Sequence, residues 1–267
     1  MKTILVTGST DGIGFQTVKR LVLEGHNVLI HGRSLQKVQN VVNELSSFNG
    51  GTIDSIVADL TDMKDVKKLT NEVKQNYSKL DVLINNAGVY NIKDSRTKNG
   101  LDARFVVNTI APYLLMKELM PIFDSTSRVV NLSSAAQAPV DTRALKGKFM
   151  IPSAGEVYAQ SKLALTMWAT SLGLELKDKG PMIVSVNPKS FLGSKMVKDA
   201  YGIQGADLSI GADILCKGAL SDEFTNAHGK YFDNDIGQFT QPHPDALNDA
   251  KCKKIIDVIE EVLALIA

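Results

Sequence analysis

Six short β-branched runs alternate along the chain with amphipathic stretches of helical length, and this alternation restricts the fold more than any other feature. The runs cover residues 4–7, 27–31, 52–58, 82–85, 128–132 and 182–186. The intervening stretches repeat near 3.6 residues: Phe15, Val18, Leu21 and Val22 share one helical face. The runs are continuously apolar rather than alternating, as suits strands covered on both sides. Successive βα units predict an α/β fold: a single-domain Rossmann fold, with a doubly wound parallel sheet of about seven strands and helices on both faces. A seventh strand is expected near residues 229–232 and a closing helix from about residue 249 to 265.

Composition supports that reading and removes several function classes. Apolar residues make up 44%, enough to cover both faces of a sheet. Thirty basic residues against 29 acidic ones leave a net charge of +1, so no field draws the chain to nucleic acid or an anionic membrane. Cys216 and Cys252 stand apart with no CxxC spacing, and His26, His31, His228 and His243 are scattered. A metal site is not expected, and the cysteines read as reduced structural thiols. No run nears the roughly 20 apolar residues that span a bilayer. The apolar start at Thr3 leaves no room for a secretory leader, so cytoplasmic residence is the expectation.

No linker, repeat or low-complexity tract divides the chain, which predicts one domain over residues 1–267. Two stretches break the rhythm, residues 135–157 and 189–206. Both follow strands at their carboxyl ends, where open α/β sheets bind ligands, and the second is the expected substrate loop.

Thr7-Gly8-Ser9-Thr10-Asp11-Gly12-Ile13-Gly14 lies between the first strand and the first helix. Glycine permits the tight turn and lets a pyrophosphate approach the backbone, and the helix start offers unpaired N–H groups. The second strand ends at Gly32, where NAD-users of this fold usually place a carboxylate; Arg33 and Ser34 follow. A guanidinium can hold a 2′-phosphate bidentately, and Ser9 and Ser34 can add hydroxyl donors. The geometry points to NADP(H) rather than NAD(H).

The Gly-x-x-x-Gly-x-Gly spacing resembles the short-chain dehydrogenase/reductase family, and four further motifs follow in the family's order. Asp59 and Leu60 match the pair that holds the adenine ring, although Asp59 can equally cap a helix. Asn85-Asn86-Ala87-Gly88 matches the cofactor-supporting motif residue for residue. Asn108 matches a helix asparagine that holds a relay water beside the catalytic lysine. Ser134 matches the serine that polarises the substrate oxygen, with Ser133 as the alternative if the register slips.

Tyr158 and Lys162 stand four apart, on one helical face. A nearby ammonium favours phenolate, and bringing a phenol from near 10 to about 7 takes roughly 4 kcal/mol, which Lys162 and the positive nicotinamide ring of an oxidised cofactor are expected to supply together. The resemblance implies hydride transfer between nicotinamide and a small-molecule carbonyl or alcohol, with Tyr158 as acid/base, Lys162 tuning it and binding ribose, and Asn108 relaying protons.

Thr97-Lys98-Asn99-Gly100-Leu101 and Gly229-Lys230-Tyr231-Phe232 resemble the retinol-dehydrogenase-like and protochlorophyllide-reductase-like branch. One departure is Asn187-Pro188-Lys189, where the family has Pro-Gly against the nicotinamide: either the loop takes another path or Lys189 adds a cation. Ser194 stands where the family often has a carboxamide-binding Thr. The family often pairs through the helices bearing Asn108 and Tyr158, which implies a homodimer or homotetramer, with Met167 and Trp168 either interface or core. A non-catalytic NADP(H)-binding sensor is the alternative reading; an epimerase would need a larger carboxyl-terminal domain than the chain has room for.

Overall fold

The computed structural model describes residues 1–48 and 50–267. In chain order the main elements are β1 (Thr3–Val6), α1 (Gly12–Leu23), β2 (Asn27–Gly32), α2 (Leu35–Leu45), β3 (Ile53–Val57), α3 (Met63–Asn76) and β4 (Val82–Asn85). Then come α4 (Ala103–Phe105), a π-turn (Val106–Ile110), α5 (Ala111–Leu119), β5 (Arg128–Leu132), α6 (Thr142–Leu145), α7 (Ala154–Glu175) and β6 (Met182–Asn187). The chain ends with α8 (Lys195–Tyr201), α9 (Leu208–Leu220), β7 (Tyr231–Asp233), β8 (Gln238–Thr240) and α10 (Asp249–Ile266).

The strands form one sheet in the order β3-β2-β1-β4-β5-β6-β7-β8. All pairs through β7 are parallel, with Leu5 between Leu29 and Leu83 in register. Chain direction across the sheet reverses between β1 and β4, the switch point where ligands of such sheets bind. Strand residues alternate between two apolar layers. Leu5, Leu29, Leu83, Val129 and Ile183 pack under α3, α5, α7 and α10, whereas Val6, Ile30, Ile84, Val130 and Val184 pack under α1 and α9. Truncating one such leucine or isoleucine to alanine costs about 2–5 kcal/mol.

Helix starts follow local chemistry. Asp11, Ser34, Asp62, Ser153, Ser194 and Asn248 each accept a first-turn amide through the side chain. Each such cap stabilises by about 1 kcal/mol. The cap of α3 is Asp62, so the reading of Asp59 as a helix cap does not hold; Asp59 instead closes a local turn on the amide and hydroxyl of Thr61, both 2.9 Å away.

The sequence expectation differs from the structure in two further places. An eighth strand, β8, pairs antiparallel with β7 across a turn in which Gly237 has φ 69. Its three residues are too short for a period-2 signal. The expected substrate loop contains a helix, α8, capped at its end by Gly202 at φ 68. Of the two readings of Met167 and Trp168, the structure has the core one: they are 2% and 0% exposed, in the core layer that α10 helps build. Among the described residues, no helix is long and apolar enough to cross a membrane.

Candidate active site

The glycine loop and the motif after β4 lock each other in place. Asn86 Nδ2 donates to the carbonyls of Thr7 and Gly8 at 2.9 and 3.0 Å, and Thr7 Oγ1 accepts from the amides of Asn86 and Ala87, both at 3.1 Å. Gly8 has φ 63, and a Cβ there would lie 2.8 Å from Ala87 Cα; a Cβ on Gly14 would lie 2.4 Å from Asn86 Nδ2. Neither position admits another residue. Asn85 reaches sideways, donating to Asn131 Oδ1 on β5 at 2.8 Å.

Sequence reasoning missed His31, which ties this loop to the neighbouring strand ends. It is buried on β2; its Nδ1 accepts from the Gly8 amide at 3.1 Å, and its Nε2 bonds the Ala58 carbonyl at the same distance. The two partners place the proton on Nε2. Burial pushes its pKa down to about 4, against a weaker upward pull from the Ala58 carbonyl and Asp59. A single histidine on an apolar strand carries no signal of such a bridge.

The residues expected around the cofactor's adenosine half gather at the ends of β1, β2 and β3, with some changes of role. Ser9 is fully buried, and its hydroxyl is used by the amide and carbonyl of His31, so it is not a donor to a 2′-phosphate. Ser34 caps α2. Arg33 is exposed beside it and, among the described residues, forms no ion pair. Thr10, not singled out from the sequence, lies against Gly32: a Cβ on Gly32 would be 2.6 Å from Thr10 Cγ2. Asp11 accepts the Gly12 amide at 2.7 Å, so its carboxylate sits on the start of α1. The first-turn amides of Ile13 and Gly14 face no intrahelical acceptor, as at any helix start. Leu60 is buried in the core, and Pro188 gives its carbonyl to Asn234 Nδ2 at 3.0 Å.

The catalytic candidates converge at the carboxyl end of β5 and the first turns of α7. Burial pushes the Tyr158 phenol up to about 12; the nearby Ser134 hydroxyl pulls it the other way, while Tyr201 and Tyr90 add to the rise. Ser134 therefore faces the phenol, and the Ser133 alternative falls: Ser133 is buried and pairs with Thr166 Oγ1 at 2.7 Å. Lys162 is 2% exposed; its ammonium donates to the Leu132 carbonyl at 2.6 Å and lies 5.7 Å from the centre of the Tyr158 ring. Burial alone brings it down to about 7. Among the chain's own groups, desolvation of the phenol outweighs a cation at that distance that is itself only partly charged at neutral pH.

Asn108 sits in the π-turn that interrupts the α4–α5 helix. Its Oδ1 accepts the Val89 amide at 2.8 Å, and its Nδ2 donates to the Val89 carbonyl and Ser161 Oγ at 3.0 and 2.9 Å. A Cβ on Gly88 would be 3.5 Å from both Asn108 Oδ1 and Lys162 Nζ, so these three residues are neighbours.

An aromatic wall, also unread in the sequence, leads to the phenol. The Tyr90 ring lies 4.9 Å from Tyr158 and 6.1 Å from Tyr201, and Phe191 lies 5.4 Å from Tyr201. Phe191 and Tyr201 are each 53% exposed. Lys189 keeps the glycine-like path, at φ 113. Ser194 caps α8 by accepting the Val197 amide at 3.3 Å.

Comparison with known proteins agrees with this geometry. Residues 2–202 match the short chain dehydrogenase family. Retinol dehydrogenase 13 of Mus musculus is 28% identical over 254 residues, covering 87% of this chain and 75% of its own. An uncharacterised protein from Mycobacterium paratuberculosis shares the fold at TM-score 0.81 and 21% identity, over 98% of this chain and 93% of its own. A short chain dehydrogenase from Burkholderia cenocepacia, solved in complex with NADP, matches at TM-score 0.70 and 26% identity over 88% of this chain and 97% of its own. With motif order, sheet topology and relatives in agreement, the chain belongs to the short chain dehydrogenase family, in its retinol-dehydrogenase-like branch, and is a nicotinamide-dependent oxidoreductase of CH–OH and C=O groups.

Proposed function

We propose that the chain is an NADP(H)-dependent reductase of apolar carbonyl compounds, with Tyr158 as proton donor. The observation that carries this reading is the convergence of Ser134, Tyr158 and Lys162 at the carboxyl end of β5 and the first turns of α7. Gly8, Gly12, Ile13 and Gly14 would hold the pyrophosphate, Arg33 and Thr10 the 2′-phosphate, Asp59 and the Leu60 main chain the adenine, Asn86, Ala87 and Gly88 the adenosine ribose, and Tyr158, Lys162 and Pro188 the nicotinamide end. The Gly8–Ala87 cradle, which a Cβ would fill, fits a group that needs close backbone approach. When bound, the cofactor supplies the hydride.

The chain's own residues control the proton. Ser134 Oγ donates to the substrate oxygen and stabilises the charge that develops there. Tyr158 gives its phenolic proton to that oxygen, and the resulting phenolate is compensated by Lys162, which is neutral or charged with little cost near pH 7. Asn108, fixed by Val89 and Ser161, holds a route for proton return from solvent toward Lys162. Tyr90, Tyr201 and Phe191 present apolar faces to whatever approaches the phenol, which favours aromatic or other hydrophobic carbonyls. The reading is also supported by the NADP complex of the Burkholderia cenocepacia relative.

An NADPH-oxidation screen over aldehydes, ketones and quinones tests it. Turnover is expected with apolar members of the panel, and Tyr158→Phe is expected still to bind NADPH while losing about 100-fold or more in kcat. A Tyr158→Phe enzyme as active as wild type would remove the phenol from the mechanism.

A further inference from the structure

The β7–β8 hairpin reaches two separate parts of the candidate site. On β7, Tyr231 is buried, and its phenol donates to the Ser134 carbonyl at 3.0 Å. Gln137 Nε2 donates to the same oxygen at 2.9 Å. The peptide that carries Ser134 is thus gripped by two side chains that do not touch the reacting atoms.

The other end of the hairpin grips the loop after β6. Asn187 Nδ2 donates to Asp233 Oδ1 at 2.8 Å and to Asp235 Oδ2 at 2.9 Å. Ser190 donates to Asp235 twice, through its amide at 2.9 Å and its hydroxyl at 2.6 Å. Asn234 Nδ2 donates to the Pro188 carbonyl. Residues 187, 188 and 190 are each tied to the turn, and the residue between them, Lys189, is the one at φ 113. A non-glycine residue persists in that region only where its surroundings over-determine it, and this set of charge-assisted bonds does so.

We infer that the hairpin is a positioning element of the active site, in which Tyr231 sets Ser134 and Asp235 sets the 187–190 loop that receives the cofactor's nicotinamide end. The inference rests on the oxidoreductase reading above. It also gives work to Gly229-Lys230-Tyr231-Phe232, a motif that the catalytic roles leave unused.

Steady-state kinetics and NADPH titration of Tyr231→Phe and Asp235→Asn, both near-isosteric, separate the two roles. Tyr231→Phe is expected to lower kcat about tenfold with the NADPH Kd within twofold, the change that one lost hydrogen bond at the site gives. Asp235→Asn is expected to raise the NADPH Kd about tenfold with kcat at saturating cofactor within twofold. Ser190→Ala, which removes one donor to Asp235 without touching the core, is expected to raise the Kd about threefold even if Asp235→Asn fails to fold. Variants with both parameters within twofold of wild type overturn the inference, as does a proportional loss of kcat and affinity in both, which marks general loosening. If wild type turns over no carbonyl, the oxidoreductase reading is what fails, and the Asp235 and Ser190 arms still report on the loop through NADPH binding.

Discussion

Lys162 and Tyr158 share one face of α7, yet the ammonium binds the Leu132 carbonyl rather than the phenol and stands 5.7 Å from its ring centre. Position and burial, more than direct attraction, therefore set the state of this pair. Burial favours the protonated phenol, the form that the proposed carbonyl reduction consumes.

The first prediction concerns that proton. With burial pushing Tyr158 up to about 12, its phenolate fraction at pH 8 is on the order of one in ten thousand. A difference titration of phenolate absorbance between wild type and Tyr158→Phe, without cofactor, should show no contribution from Tyr158 below about pH 10. A contribution appearing near pH 7 would mean that the lysine dominates after all.

The second concerns cofactor choice. Arg33 is exposed at the end of β2 with no carboxylate paired to it among the described residues. Arg33→Ala should weaken NADPH binding about 10- to 100-fold and leave NADH within twofold, read by titration with each. Equal losses for both would place the guanidinium elsewhere.

The third concerns acid stability. His31 titrates at about 4 in the fold and near 6.5 when unfolded, so above pH 6.5 both states are neutral and the histidine brings no penalty. As pH falls through 6.5 toward 4 the unfolded chain takes up a proton that the native state refuses, and stability declines with it. The total is about 3 kcal/mol, complete below pH 4. Denaturant unfolding at pH 7.5, 5.5 and 4 should show that decline in wild type and a flatter one in His31→Gln. Parallel curves would assign the acid sensitivity to other groups.

The fourth concerns backbone strain. Lys189→Gly should raise stability by about 1 kcal/mol, because strain at φ 113 outweighs the extra freedom of glycine in the unfolded chain. Thermal unfolding measures it. A loss instead would mean that the lysine's proximity to Asp235, whose carboxyl is held below the usual range against the cost of its burial, by Ser190, Asn187 and Lys189, matters more than the strain.

The parallel sheet and most of the candidate site were legible because their signals are local. The six apolar runs became β1–β6, and Tyr158 and Lys162 needed only helical spacing to share a face. What escaped was relational. His31 acts by joining Gly8 to Ala58, and Tyr231 by reaching Ser134 across 97 positions of sequence; neither residue type announces its partner. Ser9 was misassigned for the same reason, since its hydroxyl is spent on a strand two elements away. The balance between burial and charge at Tyr158 and Lys162 was also out of reach, because no spacing rule reports burial.

The chain has one tryptophan. Trp168 meets Tyr113 edge-on with centroids 5.7 Å apart, and the Tyr113 hydroxyl donates to Glu260 of α10 at 2.5 Å. Its indole emission is thus a built-in gauge of whether the final helix is seated. Because α7 carries both that indole and the Tyr158 phenol, undocking of the eighteen residues of α10 should be visible optically before turnover is assayed.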